Sequence, residues 1–178
     1  MNEHLARGNQ KKPLDRVAFH IFEKISTWVF TGFMSEPIKF VETRFQYLSP
    51  FSAHSIVIWG ETFPTVEHAY QASRIKHGPE RDCIKNASSP LDAWRWGQKF
   101  KSNPDLKVEN FDKEKIMEEL FRAKMAQHPD IVEILKESGD RELIKNYDTD
   151  YFWGAGKDGS GENKMGKLWM KLRSELSI

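Results

Sequence analysis

The chain has 178 residues, with 27 Lys and Arg against 26 Asp and Glu, one cysteine, 39% hydrophobic and 12% aromatic residues. That length suits one compact domain, large enough to hold a core without disulfide or structural metal, and Cys83 alone offers neither an internal disulfide nor a thiolate zinc site, which points to a reducing interior. A net charge of +1 excludes a broad electrostatic trap for nucleic acid or acidic membrane, and no run approaches a membrane span or a secretion signal, so a cytoplasmic or nuclear setting is expected.

Residues 1–12 are polar and aperiodic and read as a tail. Leu14, Val17, Ala18, Ile21, Phe22, Ile25, Trp28 and Val29 share one helical face, predicting an amphipathic helix that ends near Gly32. Residues 1–35 are therefore set apart from a domain over 36–178. Val41, Thr43, Phe45 and Tyr47 alternate with polar residues as in a half-buried strand, and Ser55 to Trp59 predicts a second strand before a Gly60-Glu61 turn. Thr65 can cap a helix from Val66 to about Lys76, Ser89 with Pro90 and Asp92 opens another, and Asp112 caps a third through about Gln127. His128-Pro129 starts a further helix that ends at Gly139. A stretch holding Gly154, Gly156, Gly159, Gly161 and Gly166 runs into a C-terminal helix with Met165, Leu168, Trp169, Leu172 and Leu176 inward. The pattern is α+β, predominantly helical, with a few short strands.

The glycine stretch contains both G-x-G-x-x-G and G-x-x-x-x-G-K, but no buried strand precedes either, and Leu168 stands where a phosphate-binding loop needs Ser or Thr. A glycine-rich loop entering a helix still offers backbone amides to a phosphate. The six histidines form no H-x-x-x-H pair and there is no G-x-S-x-G elbow, so neither zinc nor serine chemistry is expected, and no cofactor is implied.

Charge in costly places is more informative. Lys124 shares a helical face with Met117, Leu120, Phe121 and His128, where desolvation would lower its pKa and suit imine chemistry; the alternative is a lysine snorkelling from the stripe's edge. Glu67, Gln71 and Arg74 form one polar stripe, and Glu67 is either a general acid or a first-turn carboxylate favoured by the helix dipole. Tyr151, Phe152 and Trp153, between Asp150 and the glycines, could stack on a base or sugar.

The runs Ser49-Pro50-Phe51, Thr62 to Ala72, Ala123-Lys124-Met125 and Asp150 to Met170, in that order, resemble the NADAR (YbiA-like) family. The resemblance implies a mostly helical α+β fold and an N-glycosidase that cleaves a ribose C1–nitrogen bond, either in phosphoribosylamino-pyrimidine intermediates of riboflavin synthesis or in ADP-ribosylated guanine of DNA or RNA. It implies Glu67, Lys124 and Asp150 as catalytic residues. Ser49, Phe51, Arg74, Trp153, Gly154, Gly156, Gly161 and Asn163 would bind substrate, with no metal or membrane partner. Lys124 is favoured over Lys76, which a continuous helix would turn away from Glu67. Members commonly carry a lysine at the position of Arg74 and an asparagine at Pro50, and those acting on riboflavin intermediates carry a tryptophan before the long helix, where this chain has Phe111. Arginine suits phosphate binding, and the missing tryptophan tilts the expectation toward the ADP-ribosyl substrate. A non-catalytic ADP-ribose reader is the further alternative.

Overall fold

The computed structural model describes residues 36–41 and 43–176. The helix expected over 14–29, with Trp28, lies outside the described residues. Four short strands and six α-helices follow in chain order: β1 (Ile38–Lys39), β2 (Ile56–Ile58), β3 (Glu61–Phe63), α1 (Val66–Ser73), α2 (Pro79–Lys85), α3 (Pro90–Phe100), α4 (Lys113–Gln127), α5 (Pro129–Glu137), β4 (Leu143–Ile144) and α6 (Lys164–Ser174). Helices dominate a mixed α+β fold.

Local chemistry explains most boundaries. The Thr65 hydroxyl accepts from the His68 amide at the start of α1, Ser89 from Asp92 at α3, and Asp112 from Lys115 at α4, each satisfying an amide that the helix cannot. Proline opens α2, α3 and α5, where its missing N–H costs nothing. Strands β2 and β3 pair antiparallel across Trp59-Gly60, both at positive φ (54° and 75°), as a two-residue hairpin turn requires. Trp59 is held in that conformation while its indole donates to Glu119 on α4 at 2.8 Å. Strands β1 and β4 pair in parallel, with Ile38 opposite Leu143.

Three expectations change. The strand expected over 41–47 gives way to a 3-10 helix at Arg44–Leu48, because Thr43 caps the Phe45 amide and Phe45 and Leu48, three residues apart, both turn into the core. Helix α1 stops at Ser73 rather than Lys76, since Ile75 bridges to Lys107 and the Lys76 amide bonds to Leu106. The continuous-helix argument against Lys76 therefore falls. Helix α2 was not expected, although Gly78-Pro79-Glu80 carries its start signal.

The core gathers around Trp169 of α6, which stacks on Phe121 of α4 with ring centroids 4.0 Å apart. Its indole donates to the Leu48 carbonyl at 2.8 Å, tying α6 to the last residue of the 3-10 turn. Trp169→Phe should keep the stack but orphan that carbonyl, lowering stability by about 1–3 kcal/mol, while Trp169→Ala should cost about 3–5 kcal/mol. Urea unfolding measures both, and an unchanged midpoint for Trp169→Phe would show that the bond contributes nothing.

Candidate active site

The polar stripe of α1 becomes a hydrogen-bonded row. Gln71 donates from Nε2 to Glu67 Oε1 at 2.7 Å, and Arg74 donates from Nη1 to Gln71 Oε1 at 2.9 Å. Glu67 and Gln71 are buried, and α3 crosses them at Gly97, where an added Cβ would lie 2.8 Å from the Gln71 amide carbon. The row therefore depends on a glycine in the neighbouring helix. Burial, only partly offset by the Gln71 bond and the charges of Lys145 and Arg74, pushes the Glu67 pKa up to about 7.

The segment after β4 supplies the facing charges. Lys145 bonds to Asp150 at 2.5 Å, and Asp150 also accepts from the Trp153 amide at 2.8 Å. Burial raises the Asp150 pKa, but Lys145 and the amides of Trp153 and Gly154 more than compensate and hold it below the usual range. The Trp153 ring meets Tyr70 of α1 edge-on at 5.9 Å, and Phe111 meets Tyr70 from another direction, also at 5.9 Å. Glu67, Arg74, Lys145, Asp150, Tyr70 and Trp153 thus form one group of acid, cations and rings.

Other expected residues do different work. Asn163, buried at φ 49°, spends its side chain on β4: Nδ2 donates to the Leu143 carbonyl at 2.9 Å and Oδ1 accepts from the Lys145 amide at 3.0 Å. It fixes Lys145 rather than facing an open site. The amides of Lys164 and Met165 donate to the carbonyls of Phe152 and Trp153, that of Ala155 to the Lys145 carbonyl and that of Gly161 to the Ala155 carbonyl. The start of α6 is therefore closed by its own chain, not open to a phosphate. The glycines serve close packing: a Cβ at Gly154 would meet the Asp150 and Lys145 carbonyls at 2.8 Å, Gly161 lies against Gly154, and Gly156 (φ 69°) against the Tyr151 ring.

Lys124 is fully buried, and burial pushes its pKa down to about 7, opposed by the charge of Asp130. Its ammonium donates to the Tyr47 carbonyl, the Ser49 carbonyl at 3.1 Å and Ser52 Oγ at 2.5 Å, using all three N–H groups. No hydrogen bond joins Lys124 to Glu67. They are connected through one loop, since the Glu67 amide donates to the next carbonyl, that of Pro50, at 3.0 Å. Ser49 Oγ accepts from the Phe51 amide, and the Phe51 ring is exposed beside this loop. A cleft of about 240 Å³ lined by Trp59, Ser73, Lys76 and Arg81 contains none of the expected site residues.

A family model, the NADAR domain, matches residues 33–177. The chain belongs to the NADAR family. It is 36% identical over 143 residues to the N-glycosidase YbiA of Escherichia coli, covering 79% of this chain and 89% of that one. An N-glycosidase of Nostoc punctiforme is 36% identical over 132 residues, covering 72% and 83% of the two chains. The chloroplastic riboflavin biosynthesis protein PYRR of Zea mays is 36% identical over 146 residues, which are 74% of this chain and 23% of that protein. The NMR structure of E. coli YbiA matches with a TM-score of 0.67 at 33% identity, covering 76% of this chain and 80% of that one.

Within this NADAR domain, sequence reasoning missed Lys145 and Gly97. Lys145 follows a two-residue strand with no spacing that marks it, and Gly97 reads as an ordinary helical glycine. Gly97→Val should displace Gln71, strip Glu67 of its hydrogen bond and lower stability by about 1–3 kcal/mol, and an unaltered melting curve would contradict the packing described.

Glu67 also gives stability a pH dependence. Its carboxyl ionises near 4.5 when unfolded and near 7 when folded. The folded state thus holds the extra proton, and the contribution present below pH 4.5 is lost as pH rises through 7. Relative to wild type, Glu67→Gln should gain about 3 kcal/mol between pH 4.5 and 8 in chemical unfolding. Parallel curves across that range would mean that Glu67 ionises normally.

Proposed function

We propose that this NADAR enzyme is an N-glycosidase that hydrolyses a ribose C1–nitrogen bond, removing ADP-ribose from guanine bases of nucleic acid in the cytoplasm. The observation that carries the reading is a buried carboxyl, half protonated at neutral pH, placed among two cations, a carboxylate and rings that meet edge to face. Glu67 donates its proton to the departing base nitrogen. Asp150 stays ionised and stabilises the positive charge that grows on the sugar as the bond breaks. Arg74 takes phosphate oxygens, and Trp153 and Phe51 take the flat faces of base or sugar. The amides of Ala155, Gly161, Glu162 and Asn163 already donate to backbone carbonyls, which makes Arg74 the first partner for the phosphates.

Lys124 serves as the nucleophile. Its neutral amine attacks C1 as the C1–N bond breaks and the base leaves with the Glu67 proton. Opening of the sugar ring gives an imine, water adds to C1, and release of lysine regenerates amine and carboxylate, which regains a proton from solvent. Because Lys124 is fully buried, attack requires the loop from Tyr47 to Ser52 to open, as substrate-induced loop motions do in other enzymes. The relatives named for riboflavin biosynthesis support a second reading, in which the substrate is a phosphoribosylamino-pyrimidine. Phe111 at the wall beside Tyr70, and Arg74 on the stripe, favour the first. A reader that binds ADP-ribose without cleaving it is the third.

An ADP-ribosyl-guanine oligonucleotide and a phosphoribosylamino-pyrimidine, offered side by side, should differ, with guanine released from the first. Loss of the sugar from the pyrimidine alone would install the second reading, and binding without cleavage the third. Glu67→Gln should lower kcat by about 10²–10⁴-fold. Since Glu67 must be protonated and Lys124 neutral, and both titrate at about 7, kcat should follow a narrow bell centred near neutrality. Borohydride during turnover should leave a sugar adduct on Lys124; an adduct on Lys145, or none, would remove Lys124 from the nucleophile's role.

A further inference from the structure

A second set of polar groups runs outward from the Lys124 amine. Ser52 Oγ, 2.5 Å from the Lys124 amine, is 3.0 Å from His54 Nδ1, and His54 Nε2 is 3.0 Å from Asp130 Oδ2. Exposure rises steadily along this row: Lys124 is fully buried, the His54 side chain is 11% exposed and that of Asp130 46% exposed. The imidazole is held in place on both sides, by the edge of Tyr47 at 5.1 Å and by His128 at 5.0 Å, and His128 is itself fixed by the Ser55 carbonyl at 2.6 Å. Three elements meet here: the loop after the 3-10 turn, the end of α4 and the first turn of α5.

We propose that Ser52, His54 and Asp130 form a proton relay that connects the buried Lys124 amine to solvent. The idea rests on Lys124 acting as the nucleophile, because only a nucleophilic amine must shed a proton in each cycle, and the ammonium's other two partners are backbone carbonyls that cannot take one. Lys124 passes a proton to Ser52 Oγ as the Ser52 hydroxyl proton moves to His54 Nδ1. The imidazolium so formed, paired with Asp130, loses its Nε2 proton to water, and reversal of these transfers reprotonates lysine. No bond other than O–H and N–H is made or broken.

The geometry favours this direction. Neutral His54 with Nε2–H donating to Asp130 leaves Nδ1 as an acceptor facing Ser52. Ser52 has a single proton and three acceptors within reach: His54 Nδ1 at 3.0 Å, the Tyr47 carbonyl at 3.0 Å and the Ser49 carbonyl at 2.9 Å. A small rotation of one hydroxyl therefore makes or breaks the path. The charged and titratable groups facing the row are Asp130, His128, Tyr47 and Lys124 itself. Burial first, then the charges of Lys124 and His128, hold the His54 pKa down against Asp130, so that His54 returns its proton to solvent readily. In this scheme Ser52, His54 and Asp130 are positioning residues that act through Lys124.

The test is hydrogen exchange between the Lys124 ammonium and water, followed by NMR on lysine-labelled full-length protein, alongside the pH profile of kcat. His54→Gln and Asp130→Asn should slow Lys124 exchange by at least about tenfold at fixed pH. Ser52→Ala should do the same, and Ser52→Thr, which restores the hydroxyl, should recover the rate. A row that merely fastens the loop would change the unfolding midpoint and leave exchange as in wild type, or speed it, in all three variants; that result overturns the relay. The Ser52 pair keeps the test decisive if His54→Gln fails to fold. Wild-type protein without activity on either glycoside would overturn the nucleophilic role, and with it the relay's purpose, whereas the exchange rates judge the path itself.

Discussion

Taking a carboxyl out of water costs several kcal/mol unless hydrogen bonds and opposite charge compensate, and Glu67 sits where that compensation is deliberately incomplete. One amide hydrogen bond from Gln71 reaches it, while the nearest strong acid–base contact, Lys145 with Asp150, satisfies other groups. The result is a carboxyl that gives up its proton only near pH 7. Almost everything around it can be read as support: Gly97 leaves room for Gln71, the Pro50 carbonyl steadies the Glu67 amide, and Asn163 holds the backbone of Lys145 in place. Burial and the raised pKa set Glu67 apart from an exposed first-turn carboxylate that merely complements the helix dipole.

Much of this was legible in the chain because it depends on local spacing. The Thr65, Ser89 and Asp112 caps, the Glu67-Gln71-Arg74 row and the inward Lys124 all follow from which positions share a face within one helix. The strand expected over 41–47 shows the limit of the same logic. Alternation and 3-10 spacing both place Phe45 inside, and only the Thr43 cap and the buried Leu48 distinguish them. Contacts between distant segments leave no such trace. Lys145 is brought to Glu67 by β4 pairing with β1 and by Asn163, and His54 meets Asp130 across 76 positions of sequence.

The aromatic content also divides. Trp169 and Phe121 fill the core, and Trp59 braces a hairpin turn, whereas Trp153, Tyr70 and Phe111 form a wall beside ionised groups. Rings at that wall meet edge to face, the geometry that leaves flat surfaces available to a ligand. With near-zero net charge, the positive potential at this site comes from Arg74 and Lys145 at short range rather than from a field spread over the surface.

Ser49 and Pro50 present successive carbonyls to the two titrating centres, the first to the Lys124 amine and the second to the start of the helix that carries Glu67. Proline fixes φ between them, so this dipeptide behaves as a short rigid strut. Acid and amine thus lean on one short stretch of backbone: the Tyr47 and Ser49 carbonyls hold the Lys124 amine, and the very next carbonyl, that of Pro50, steadies the first turn of α1.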